Sequence, residues 1–394
     1  MMSTPDSAQS TWTRWTTIAP IVALVPLPFT WGRSLGTIWI VIVAVLLAAA
    51  VLAAVHHAEV VAHRVGEPLG SLVLAVAVTV IEVALIVTLM VSGGSEASTL
   101  ARDTVFAAVM ITCNGIVGIS LFVGAMRHHT VTFNAEGTGA ALACVITLAA
   151  VCLVLPSFTS SVSGPEYSGS QLTFAAIASL CLYGLFVVTQ TVRHRDFFLP
   201  VDRADYRPLA RANSGQEGVE QAAASADDPL TQEDDGEHAM PPSGREATLA
   251  LVLLLISLVA VVALAKVESK PIEKGVESLG LPHAFVGVII ALLVLLPETL
   301  AAVKAARRDR VQISLNLGLG SAMASIGLTI PAIALASIWL PTDLHLGLGP
   351  TQLVLLAITA VVGVLTVVPG RATRLQGGIH LVLLAAFIFL AANP

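Results

Sequence analysis

LGSLVLAVAVTVIEVALIVTLMVS (Leu69–Ser92) and PHAFVGVIIALLVLLPETLAAVK (282–304) are long apolar runs, each with a single acid near its interior, Glu82 and Glu298. A helix of about twenty residues spans a hydrocarbon layer ~30 Å thick. Both runs reach that length, and neither alternates with period two, which excludes a transmembrane β-barrel. Similar blocks fill the chain, among them 38–55 and 249–265. The 394 residues are 56% hydrophobic and only 12% charged, where a soluble chain carries roughly a quarter charged residues. The reading is an all-α membrane protein.

Eleven spans are expected, near 16–31, 35–56, 69–92, 103–126, 138–157, 171–191, 247–266, 282–304, 313–340, 350–369 and 373–392. The first is short and broken by Pro20, Pro26 and Pro28, so it either crosses or lies in the interface. The N-terminus has one arginine, Arg14, and no small-residue cleavage site, so no secretory signal is expected. Cys113, Cys144, Cys152 and Cys181 fall inside apolar blocks without a CxxC pair and read as buried hydrophobes.

The polar stretch 193–246 concentrates acids between Gly, Ser, Pro and Ala. It lacks the apolar surface to fold alone and is expected to be disordered. The expected units are therefore 1–34, the N-terminus and weak first span; 35–192, spans two to six; 193–246, the acidic loop; and 247–394, spans seven to eleven. With the N-terminus inside, most basic residues fall on that side, including Arg64, Arg127, Arg307, Arg308, Arg310, Arg371 and Arg374; only Arg33, Arg102, Lys266, Lys270 and Lys274 fall outside. The positive-inside rule then places the N-terminus and acidic loop in the cytoplasm, with the C-terminus outside an inner membrane. No basic patch supports nucleic-acid binding; lipid is the expected surroundings.

The two acid-bearing runs look like parts of a repeat. Each follows a Gly-x-Pro, at 66–68 and 280–282, with Pro-to-Glu spacings of 14 and 16, and an Arg-Asp pair (102–103 and 308–309) opens the next span. By the charge count they cross in opposite directions, the signature of an inverted-repeat transporter. Two five-helix repeats plus one extra N-terminal helix are expected.

A charge inside a span costs ~2.5–3.5 kcal/mol on the mildest scale, so Glu82 and Glu298 must face protein, water or an ion. Carboxylate oxygens suit Ca²⁺, Na⁺ or another hard cation. They equally take protons, and one carboxylate cannot hold both at full strength. That competition suffices for antiport. Pro297 removes an N–H and frees a carbonyl near Leu293; it reads either as a cavity-lining break or as a packing kink. Thr79, one turn before Glu82, and Thr299, beside Glu298, are either ligands or bonded to their own helices. Asn114 and Ser321, in partner spans rich in small residues, are further ligand candidates. His57, Glu59 and His63 lack the zinc spacing H-E-x-x-H and read as a solvated juxtamembrane cluster. His380, mid-span, is either a satisfied polar contact or part of a proton path; Glu59 and Glu67 are the other candidates for that path. No P-loop or nucleophile motif appears, so neither ATP-driven transport nor enzyme chemistry is expected.

AEVVAHRVGEPLGSLVLAVAVTVIEVALI (58–86) and LLPETLAAVKAARRDRVQISLNLGLGSAMASIGLTIP (295–331) resemble the two α-repeats of bacterial calcium/proton antiporters of the Ca²⁺/cation antiporter superfamily. The resemblance covers nearly the whole chain, acidic loop included. It implies that Glu82 and Glu298 coordinate the cation, and that the family's Gly-Ser falls on Gly320-Ser321. Glu59 and Glu67 match acidic positions flanking the first repeat. The chain departs from the family's Gly-Asn before the glutamate, with Val78-Thr79 and Val294-Leu295, and has Ala324 for a glutamine. The bacterial branch that it most resembles shares those departures and is associated with Ca²⁺, Na⁺ and K⁺ exchange for protons. The expected function is Ca²⁺/H⁺ exchange with Na⁺/H⁺ and K⁺/H⁺ activity. The alternative is a monovalent cation/H⁺ antiporter with little Ca²⁺ transport. No cofactor beyond the transported ions is expected.

Overall fold

The computed structural model describes residues 7–33, 35–66, 69–92, 94–201, 242–339 and 343–394. Most of the expected acidic loop, and with it any test of its disorder, lies outside them. So does Glu67.

Two N-terminal helices, α1 (Ser7–Leu24) and α2 (Leu27–Thr30), precede α3 (Thr37–Val65) and α4 (Leu69–Ser92). The next span is built of α5 (Leu100–Met110), a π-helical stretch (Ile111–Ile116) and α6 (Val117–His128). Then come α7 (Ala135–Ala149), α8 (Gly169–Val188), α9 (Gly244–Ser278), α10 (Phe285–Val294), α11 (Leu296–Arg307), α12 (Val311–Ala336), α13 (Pro350–Val367) and α14 (Arg374–Ala392). Among the described residues nine helical stretches are long and apolar enough to cross a membrane; α10 and α11, bent by 54°, make a tenth. The expected count of eleven is not reached. Trp15–Thr30 is a shorter apolar helix, interrupted where Pro26 removes a backbone donor. It packs on α3 and α9.

α3 outruns its expected span because helicity continues after hydropathy ends at Val55. Gly66 (φ 77°) then reverses the chain, and Gly70 lets α4 start hard against α3: a Cβ there would lie 2.5 Å from the Ala62 carbonyl oxygen. The extension corrects one expectation. His57 is not solvated but buried on α3, its Nε2 donating to the Thr16 carbonyl of α1 at 3.0 Å.

The second half repeats the order of the first, α9 to α14 following α3 to α8. The halves interlock: α3 lies along α9, α4 against α12, and α5 against α10. Clips between connecting segments tie both ends. At one end β1 (Thr130–Thr132), after α6, pairs antiparallel with β2 (Arg371–Thr373), before α14. Arg374 adds donations from Nε to the Ala125 carbonyl (3.2 Å) and from Nη2 to that of Met126 (3.4 Å), closing the C-terminus of α6. At the other end the segment 343–349 crosses the connections α4–α5 and α7–α8.

Candidate cation site

Glu82 sits mid-way along an unbroken α4 and is 3% exposed. Ser325 and Thr329 lie four residues apart on α12, so their hydroxyls share one face. That face meets α4. Ser325 Oγ donates to Glu82 Oε1 at 2.5 Å, and Thr329 Oγ1 donates to Oε2 at 2.9 Å. Both carboxyl oxygens in one repeat are thus held by the other repeat. Satisfying a buried charge this way offsets much of its desolvation cost.

Glu298 is placed differently. Pro297 supplies no N–H to Leu293, the helix breaks at Leu295 (ψ 0°), and Glu298 falls in the first turn of α11. Its own backbone N–H faces its carboxylate, and the positive end of the α11 dipole favours negative charge there. Oε2 is buried without a hydrogen-bond partner among the described residues. Glu298 lies within electrostatic range of Glu59 and Glu82. Three carboxyl groups therefore share one neighbourhood: Glu59 exposed on α3, Glu298 half-buried, Glu82 buried.

The other expected residues divide. Thr79 is buried one turn before Glu82. Ser321 is half-buried one turn before Ser325. Thr299 bonds its own helix, its Oγ1 donating to the Leu295 carbonyl at 2.7 Å. Asn114, in the π-helical stretch, is turned to other partners: its Nδ2 donates to Thr359 Oγ1 at 2.9 Å, and its Oδ1 meets His380 Nδ1 at 3.1 Å. With Asn114 Oδ1 as acceptor, His380 carries its proton on Nδ1, and Nε2 accepts from Thr366 Oγ1 at 3.1 Å. His380 is 1% exposed, with both ring nitrogens hydrogen-bonded.

Sequence reasoning did not single out Ser325 or Thr329; the signal was the four-residue spacing of two hydroxyls within a span. It also passed over Glu268, buried on α9 with an Oε1 that has no hydrogen-bond partner among the described residues. No cluster of three or more His, Cys, Asp or Glu side chains able to hold a metal occurs among the described residues. The arrangement suits an ion passing through, since two carboxylates and a few hydroxyls bind a hard cation less tightly than a closed cage.

The family model described as "Sodium/calcium exchanger protein" matches residues 35–192 and 249–392. A putative ionic transporter, y4hA, from Sinorhizobium fredii is 42% identical over 387 residues, 96% of either chain. The sodium-potassium/proton antiporter ChaA from Escherichia coli is 34% identical over 376 residues, 94% of either chain. The crystal structure of the H⁺/Ca²⁺ exchanger CAX shares the fold, with a TM-score of 0.64 at 16% identity, covering 96% of this chain and 92% of that one.

Proposed function

This chain belongs to the sodium/calcium exchanger protein family and is a multi-pass cation/proton antiporter; on that premise we propose that Glu82 and Glu298 form one shared site where Ca²⁺, and also Na⁺ or K⁺, competes with protons. One observation carries the reading. Glu82 is gripped across the repeat boundary by two hydroxyls, while Glu298, in electrostatic range, keeps a buried oxygen without a partner among the described residues. A hydroxyl is both donor and acceptor. Without cation, Ser325 and Thr329 turn their protons to the carboxylate. With cation, they rotate and offer lone pairs. The same atoms thus serve both loads without a new side chain entering.

Glu59, exposed and near Glu298, is the first acid that an ion meets on the way in. The positive-inside bias puts that entrance on the cytoplasmic side, with the acidic loop beside it and the C-terminus outside the inner membrane. Thr79 and Ser321 complete the oxygen shell; Asn114 acts through His380 and Thr359.

A second reading, a monovalent cation/H⁺ antiporter with little Ca²⁺ transport, is favoured by the missing amide ligands at Val78-Thr79 and Val294-Leu295 and by the 34% identity to ChaA. The two readings separate in everted vesicles. The test is collapse of a preset pH gradient on adding Ca²⁺, Na⁺ or K⁺ separately. Collapse by Ca²⁺ is expected. Collapse by Na⁺ or K⁺ alone selects the second reading, and none by any of the three overturns both.

A further inference from the structure

His345 lies in the segment 343–349 between α12 and α13, at the end of the molecule away from the β1–β2 clip. It joins three connections. Its backbone N–H donates to the Ser98 carbonyl at 3.1 Å, and its Nδ1 lies 3.4 Å from Ser98 Oγ, in the turn before α5. Its Nε2 meets a Glu166 carboxyl oxygen at 2.5 Å, in the connection between α7 and α8. Two further bonds continue the seam: Gly347 N–H to the Pro165 carbonyl and Leu348 N–H to that of Leu153, both 2.9 Å. The flanking Leu346 and Leu348 are buried, whereas the His345 and Glu166 side chains are 31% and 21% exposed. The apolar part of the seam is buried, and the His345 imidazole is partly exposed.

Ser98 and Glu166 belong to the first repeat and His345 to the second. Any motion that parts the repeats at this end must break the His345 contacts. We propose that His345 is a proton-sensitive latch on this end of the transporter, closing it more firmly when the adjoining solution is acid. Placing that solution outside the cell rests on the orientation given above.

The chemistry sets the sign. Neutral imidazole offers Glu166 an ordinary N–H bond. Imidazolium offers a charge-assisted one, stronger and still compatible with Ser98 Oγ as acceptor. Histidine is the side chain whose charge changes in the physiological range. The latch is therefore tightest in acid and loses its ionic part as the solution turns alkaline. Among the described residues other charges do not compensate. Arg102 bonds the Gly347 carbonyl (3.2 Å) but is paired with Asp103 at 2.8 Å. Asp343, two residues before His345, is exposed. Tyr167, beside Glu166, stays a neutral phenol, since burial pushes it up to about 12; its hydroxyl donates to the Val151 carbonyl.

The test is initial transport rate in oriented proteoliposomes, with inside pH fixed and outside pH set between 6 and 8. The wild type, His345→Gln and Glu166→Gln are compared. Driving force cancels in the variant-to-wild-type ratio at each pH. That ratio is expected to rise on acidification by up to about five-fold, the size of a partly exposed ion pair. The double variant should match either single one, since both remove the same bond. Hydrogen exchange at the amides of His345, Gly347 and Leu348 gives a readout independent of rate: protection should rise with acidity in the wild type only. A pH effect from the opposite face alone would uphold the latch and reverse the assigned orientation. A ratio flat with pH at both faces, with exchange unchanged, would overturn it.

Discussion

An ionised carboxylate only accepts hydrogen bonds, so what donates to it, or fails to, decides what it does next. Among the described residues Glu82 has two donors and Glu298 a buried oxygen without a partner. Glu82→Gln and Glu298→Gln keep shape but carry neither proton nor charge. Each should abolish exchange while the protein still inserts, checked by vesicle transport beside membrane quantification. Removing one hydroxyl is milder. Ser325→Ala or Thr329→Val takes one oxygen ligand from the cation-loaded site, and at ~1.4 kcal/mol per decade of affinity should raise the apparent cation KM by up to roughly ten-fold in concentration series. The acids were legible in the sequence because a charge in an apolar run has no structural excuse. Their hydroxyl partners were not. Serines and threonines are common in membrane helices, and only the rotation of α12 about its axis selects Ser325 and Thr329. Asn114 shows the converse: its polarity marked it, but its partners Thr359 and His380 come from helices whose adjacency no local pattern reveals.

Helices that share a role differ in continuity. α4 carries Glu82 through an unbroken run, while the span of Glu298 is divided at Leu295 into α10 and α11. The reverse holds for their neighbours: the α5–α6 span contains a π-helical stretch and α12 is continuous. Of the helices around the two glutamates, each repeat thus contributes one irregular one, a frequent mark of functional positions. Pro297→Ala would restore an N–H and let α10 run straight into α11, taking Glu298 out of a helix N-terminus. Transport should fall at least ten-fold with insertion intact, and cysteine accessibility along α11 should shift by a turn or less. Span positions were readable because hydropathy reports the membrane. Helix ends were not, because hydropathy is silent on helicity in water. That is why α3 runs to Val65 and why His57 proved buried under α1.

At the scale of the molecule, the proposed site brings both ions to one neighbourhood. If protons and cations contend for the same oxygens, the apparent cation KM must worsen as pH falls, with maximal rate less affected. Initial rates in proteoliposomes at several symmetric pH values check this, and it should hold for every cation carried. A KM flat from pH 6 to 9 would mean separate sites.

The β1–β2 clip also has a bearing on how the protein comes into being. Among the described residues Thr130–Thr132 finds its strand partner in Arg371–Thr373, made much later in the chain. At ~5–20 residues per second of synthesis, the α6–α7 turn waits on the order of tens of seconds after it is made. During that interval the first repeat sits in the bilayer with an unpaired strand edge and no Arg374 closing α6. Synthesis of the stretch Arg371–Arg374, rather than insertion of any earlier span, is therefore the moment at which the two halves become a single machine. Chains stalled before Arg371 should remain open to protease at 130–132 and be cleared by quality control.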